Sequence, residues 1–283
     1  MKAGSGNNVM DEQIIDLQDW IQTPPGQYLL DWEGAQVEDA VADIFGYHAL
    51  QLGMAALQGL EHNRMPHRWL AQQQLGLVQA DSSAPAPCIA QDVALVTDFS
   101  ALPFPAASLD LVILPHTLEL SADAHATLRE VERVLVPEGR VVICGFNPLG
   151  LWAFRQARAQ LWSRLGGARL GGVPYLPQAN QYLGYWRLRD WLKLLGFEVE
   201  VARFGCYAPA VHSQTWLARF GWLERLGERW WPIFGSSYFL VSVKRVQGVR
   251  LMGAHWRKAS ARASRAVPAT QREQNQLQQE HRK

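Results

Sequence analysis

Between Val93 and Gly145 the chain reads strand, loop, strand, helix, turn, strand, and this alternation restricts the fold more than any other feature. Val93–Thr97 is a short apolar run that ends at Asp98. Ser108-Leu109-Asp110 leads into a second run, Leu111–Pro115. Ser121 suits a helix N-cap, and the charge of Asp123 would complement the dipole in the first turn. Ala124, Leu128, Val131 and Leu135 then recur at helical period. Pro137-Glu138-Gly139 turns the chain into the apolar run Arg140–Gly145. Strands alternating with helices predict a parallel, doubly wound α/β sheet with right-handed crossovers.

The flanks extend this pattern. Ile14, Leu17 and Ile21 have helical spacing, and Thr23-Pro24-Pro25-Gly26 stops that helix. Residues 34–45 read as a helix with one wet face. His48–Leu52, closed by Gly53, reads as a buried strand, and Ala55–Leu70 is compatible with a helix. A second strand is expected over Leu75–Ala80, ending at Asp81. Further on, Arg187–Leu195 is a helix closed by Gly196, with strands at Phe197–Arg203 and Tyr238–Lys244.

Between those last strands, Trp216, Phe220, Leu223, Leu226 and Trp230 fall at helical spacing. That stripe either packs on the domain, closes as a lid over a hydrophobic substrate, or lies at a membrane surface through residues 214–231. Gly221 and Gly227 each weaken such a helix by about 1 kcal/mol relative to alanine. The expected organisation is a disordered N-terminus at 1–13, one domain at 14–246 and a basic, Gln-rich tail at 247–283. Within the domain, 44–148 is the core, and 151–183 and 212–235 are substrate or lid elements.

Composition removes several classes. No apolar run approaches the ~18 residues of a membrane span, and the polar start carries no apolar signal region. The three cysteines, Cys88, Cys144 and Cys206, are odd in number and widely spaced. They imply a reducing, cytoplasmic setting rather than a disulfide framework. The net charge of +1 conceals an acidic N-terminal part, with nine acids and one base in residues 1–60. From Lys244 onward there are ten Lys and Arg residues against Glu273 and Glu280. This gradient invites a nucleic-acid partner, but a solvated tail explains it as well, and the bases do not gather near the expected site. His62 and His67 lack the further ligands that a metal would need.

Asp98-Phe-Ser-Ala-Leu-Pro-Phe104, Ser108-Leu-Asp-Leu-Val112, Leu128-Arg-Glu-Val-Glu-Arg-Val-Leu135 and Pro137-Glu-Gly139-Arg140 occur in one order and at one spacing. Together they resemble the central run of class I S-adenosylmethionine (SAM) methyltransferases of the small-molecule type, including the quinone-biosynthesis relatives. The resemblance implies a Rossmann-like, seven-stranded sheet, mostly parallel with an antiparallel C-terminal strand. It implies SAM as cofactor, with Asp98 accepting from the adenine amino group and Phe99 N–H meeting a ring nitrogen. Asp81 would take the ribose, and Pro115 would line the pocket.

The first glycine motif departs from the family. In Leu50-Gln51-Leu52-Gly53-Met54-Ala55-Ala56-Leu57, Gln51 replaces an acid, and Ala55 and Leu57 replace glycines. Gln51 and Gly53 are then expected to meet the methionine part of SAM through neutral, weaker hydrogen bonds. Restoring the acid at Gln51 and glycine at Ala55 is expected to tighten binding.

His116 and Glu119 follow the fourth strand, where the family's reaction chamber lies, and His116 is a candidate general base with Glu119 beside it. Asn147, before Pro148, and Trp152 are candidates to face the substrate. The reading is a SAM-dependent methyltransferase acting on a small or hydrophobic acceptor. The competing readings are an inactive methyltransferase-like binding or regulatory module and, on weaker grounds, a nucleic-acid methyltransferase.

Overall fold

The computed structural model describes residues 17–73, 93–164, 175–177, 181–211 and 213–245. The N-terminal part holds α1 (Leu17–Ile21), α2 (Pro24–Ala42), β1 (His48–Leu52), β2 (His67–Gln72) and β3 (Leu95–Val96). The middle holds β4 (Leu109–Pro115), α3 (Thr117–Leu120), α4 (Ala124–Val134), β5 (Leu135–Phe146) and α5 (Leu151–Arg164). The last part holds α6 (Tyr185–Leu194), β6 (Phe197–Gly205), α7 (Gln214–Arg219), α8 (Trp222–Trp230), the 3-10 turn η1 (Pro232–Phe234) and β7 (Ser237–Lys244).

The sheet runs β3-β2-β1-β4-β5-β7-β6. All pairings are parallel except those of β7, which runs antiparallel to both β5 and β6. The order reverses between β1 and β4, so the crevice at their carboxyl ends is where a ligand belongs in such a sheet.

The central strands are largely apolar because both faces are covered. Leu50, Leu52, Val112, Leu114, Val141, Ile143 and Leu240 pack under α4 and α6 through Leu128, Val131, Leu188 and Leu192. The alternate residues, Ala49, Leu111, Ile113, Val142, Phe239 and Val241, pack under Val37 and Val41 of α2. A third cluster, around Trp20, Leu29, Phe146 and Trp152, joins the N-terminal helices to the end of β5.

Several boundaries differ from the sequence reading for identifiable reasons. Pro24 and Pro25 begin α2 as well as ending α1, because a helix's first turn has no use for the missing N–H groups. Residues 54–66 form turns rather than a helix, and β2 starts at His67. Leu75–Ala80 and Asp81, like Cys88 and the proposed terminal segments, lie outside the described residues. Asp123, not Ser121, caps α4 by accepting from the N–H groups of His125 and Ala126. The Trp-rich stripe is broken at Phe220–Gly221 into α7 and α8. No described helix is long and apolar enough to cross a membrane.

Candidate active site

The carboxyl ends of β1 and β4 meet through Thr117. Its hydroxyl donates to Leu52 O at 2.5 Å, and Gly53 lies alongside. Gly53 has φ +92°, which favours glycine, and a Cβ there would also crowd Thr117 Oγ1 at 3.1 Å. Gly53 N–H donates to Ala71 O at 2.8 Å, and Thr97 N–H to Gln72 O at 2.9 Å. These bonds bring the ends of β1, β2 and β3 onto one edge. Asp98 therefore sits two strands from Gly53, about 10 Å by strand spacing. Pro115, the last residue of β4, is buried against β5.

Asp98 is exposed, and one of its carboxylate oxygens accepts from Ser100 N–H at 2.9 Å. That bond holds its carboxyl below the usual carboxylate range. The Ser100 hydroxyl adds to this effect, and the exposed carboxylate keeps lone pairs for further acceptance. Phe99 is buried and anchors the loop to the core. The loop is also gripped by α4. Glu130 accepts from Leu102 N–H at 2.8 Å, and Arg133 donates to Leu102 O at 3.1 Å and Phe104 O at 2.9 Å. Glu130 and Arg133 also pair with each other. The Leu128–Leu135 run thus does more than cover the sheet, because it fixes the shape of the Asp98 loop.

Gln51 is fully buried. Its amide nitrogen donates to Met54 O at 2.7 Å and Leu57 O at 2.6 Å, while its oxygen accepts from Gly59 N–H at 3.2 Å. The side chain braces the turn after β1 and has no donor left for a ligand. Of the pair expected to meet the methionine end, only Gly53 remains partly exposed. The substitution of Gln51 for an acid now has a structural cause, since a carboxylate there would face two carbonyl oxygens. The expectation that an acid at Gln51 would tighten binding is corrected accordingly.

His116 is corrected as well. It occupies the left-handed region, φ +53°, at the switch from β4 to α3 and is fully buried. Its Nδ1 donates to Glu119 Oε2 at 2.8 Å, and its Nε2 to Glu33 Oε1 at 3.0 Å. Burial alone would push the imidazole pKa down. The Glu33 and Glu119 carboxylates outweigh it and raise it to about 10. With the ring fully buried and both nitrogens held by carboxylates, His116 does not present a free nitrogen to the crevice as the general-base expectation requires.

Glu119 is equally committed. Burial raises its pKa, against the pull of His116, and its other oxygen takes Phe146 N–H at 2.5 Å. Ser237 Oγ completes the cluster, donating to Glu33 at 2.7 Å. Gly145 belongs to it too, since a Cβ there would meet Tyr238 Oη at 2.5 Å and Glu119 Oε1 at 3.1 Å. The cluster therefore ties α2, β4, α3, β5 and β7 together at the carboxyl edge. Glu33 and Ser237 were not legible as partners, because nothing local in sequence marks contacts that span the whole chain.

The two residues expected to face a substrate point inward. Asn147 donates to Ile233 O and Gly235 O at 2.6 and 2.8 Å and accepts from Leu149 N–H at 3.1 Å, so it pins the approach to β7 onto β5. Trp152 is fully buried, with its indole N–H on Ala208 O at 2.9 Å.

Comparison with known proteins agrees with this geometry. A family model described as a methyltransferase domain matches residues 66–143. Over that stretch the chain resembles the class I, SAM-dependent methyltransferases. It is 32% identical over 173 residues to the uncharacterised YafS protein of Escherichia coli, covering 60% of this chain and 62% of YafS. It is 36% identical over 76 residues to a malonyl-[acyl-carrier protein] O-methyltransferase of Halorhodospira halophila, covering 27% of this chain and 26% of that protein. A demethylmenaquinone methyltransferase of Thermus thermophilus is 32% identical over 128 residues, covering 42% of this chain and 57% of that enzyme. Each match spans less than two thirds of the relative's length. SAM is the cofactor that the family implies. The adenosine end of such a site fits the exposed Asp98 on its braced loop. The methionine end fits less well, because the acid is missing and Gln51 is occupied.

Proposed function

We propose that the protein is a SAM-dependent methyltransferase for a small, lipophilic acceptor. The observation that carries this reading is the shared carboxyl edge, where Gly53 with its positive φ and the exposed Asp98 flank the β1/β4 crevice. When bound, SAM supplies an electrophilic methyl group on a sulfonium. Asp98 would accept from the adenine amino group, and the Gly53 turn would let the backbone approach the amino-acid part.

With His116 held as imidazolium, no proton acceptor is offered at the end of β4 by that residue. The acceptor would then arrive already anionic, or with a proton acidic enough to pass to water. The chain's task reduces to binding and in-line orientation, which supply much of the rate in such transfers. Nucleic acid is a poorer fit, since Asn147 is spent on the backbone of residues 233–235.

A second reading keeps the fold without the chemistry: a binding module that has lost turnover. The occupied Gln51 favours it. Calorimetry with SAM and with S-adenosylhomocysteine tests both. Binding that Asp98→Ala weakens at least about tenfold, the size of one charge-assisted hydrogen bond, is the expected result. No heat at millimolar SAM and no thermal shift would sink both readings. Binding without methyl transfer to any lipophilic phenol, enol or carboxylate would favour the module.

A further inference from the structure

Of the stripe that could pack on the domain, form a lid or lie at a membrane, Trp216, Leu226 and Trp230 are exposed while Phe220 and Leu223 are half-buried. In α8 and η1, Trp222, Trp230, Trp231 and Phe234 are each more than half exposed, and Leu226 and Ile233 are also open to solvent. The inward side of α8 is polar at Glu224, which accepts from Tyr207 N–H and from the Tyr28 hydroxyl. It is bare at Gly227, whose Cβ would collide with the Tyr207 ring at 2.3 Å. The helix is therefore held by its polar and small residues and shows its aromatic face outward.

That face continues onto the start of α5. Asn147 fixes Ile233 and Gly235 to the turn that carries Leu149, and Gly150 packs on Gly235 and Ser236. Leu149, Leu151 and Phe154 are all exposed, Phe154 at 69%. The four large aromatics of α8 and η1 alone present on the order of 500 Å² of ring surface, well above a scattered surface residue.

Charge says what covers this face. From Leu149 to Arg158 the start of α5 has no Asp or Glu, and Arg158 is exposed one turn beyond Phe154. Arg219 and Arg229 are exposed beside the tryptophans of α7 and α8, and Arg219 stacks on Trp216. Tryptophan and arginine around an apolar face are the composition of a helix that lies at the headgroup level of an anionic bilayer. Position agrees with the assignment. The segment from Gly205 to Ser237 joins the carboxyl end of β6 to the start of β7, at the same edge of the sheet as the β1/β4 crevice.

We infer that α8, η1 and the start of α5 form a docking surface for an anionic lipid bilayer, with the crevice turned toward the membrane. This inference stands on the surface itself and does not depend on methyl transfer. The full chain is incubated with large unilamellar vesicles of phosphatidylcholine containing 30% phosphatidylglycerol and, separately, with phosphatidylcholine alone. Sedimentation and tryptophan quenching by brominated lipid are both read. Binding to the anionic vesicles that weakens with salt, together with quenching, is expected. Trp230→Ser, Trp231→Ser and Phe234→Ser combined should weaken binding by at least about tenfold while leaving the melting temperature unchanged, because all three are exposed.

Sedimentation without quenching, retained by the triple variant, would assign binding to the basic C-terminal residues and overturn the proposal. So would absence of vesicle binding, whether or not the triple variant converts a dimer to a monomer by light scattering.

Discussion

Replacing His116 by Asn should be among the most damaging single changes in this chain. Asparagine tolerates the left-handed backbone at φ +53°, so the substitution isolates the loss of the cation. Two buried carboxylates then remain with their hydrogen bonds from Ser237 and Phe146 but without a positive partner. Breaking a buried ion pair in this way costs about 3–5 kcal/mol. For a domain of this size each kcal/mol lowers Tm by about 2–4 °C, so the drop should be on the order of 10 °C.

The pH dependence gives an independent check. The folded-state pKa of His116, about 10, lies above its unfolded value near 6.5. Its contribution is therefore complete below pH 6.5 and is lost as pH rises toward 10, by up to about 1.4 kcal/mol per pH unit. Glu119, also raised, acts with the same sign, since its contribution is complete below the ordinary carboxylate pKa and fades above it. Urea melts followed by circular dichroism at pH 6, 7.5 and 9 should show the wild type weakening steadily. The Asn variant should be weaker at pH 6 and should lose the part of the slope that the imidazolium causes, keeping that of the buried Glu119 carboxyl. Adding Glu33→Gln to it should recover part of the loss. A variant that melts within 2 °C of the wild type (about 1 kcal/mol) with an unchanged pH slope would refute the buried imidazolium.

Gln51→Glu should destabilise the fold by about 1–3 kcal/mol and loosen, not tighten, any SAM complex, as a carboxylate would face Met54 O and Leu57 O; denaturant midpoints and calorimetry read the two effects. Arg133→Ala frees Leu102 O and Phe104 O and should weaken SAM binding more than its small effect on Tm suggests, since the Asp98 loop is held from that side. Gly145→Ala inserts a methyl 2.5 Å from Tyr238 Oη and should cost about 1–3 kcal/mol in urea unfolding.

The α/β architecture was readable because both faces of the sheet are buried, which forces the apolar runs at His48–Leu52, Leu109–Pro115 and Arg140–Phe146. The position of Asp98 just after β3 was readable because it ends an apolar run within a spaced set of motifs. What escaped were relations across distance. His116 looked like a free base because its two carboxylates come from 83 residues upstream and one helical turn downstream. Gln51 looked like a weakened ligand contact because its partners are carbonyls, which sequence does not display. Periodicity alone left the Trp-rich stripe three readings: on the domain, as a lid, or at a membrane surface. Periodicity identifies a face without saying which way it points, and here Glu224 and Gly227 decide the direction.

The cluster around His116 also bears on where this protein can be cut. The stretch matched by the methyltransferase model, residues 66–143, contains His116 and Glu119 but neither Glu33 nor Ser237. It also omits β1, which lies between β2 and β4 and joins them. A fragment reduced to the recognisable stretch would be split down the middle and carry a histidine stripped of half its counter-charge. The recognisable part marks shared ancestry but is not a module. Fusions, truncations and transplanted versions should retain everything from α1 through β7, because the bolt that closes the carboxyl edge of the sheet is threaded from Glu33 to Ser237.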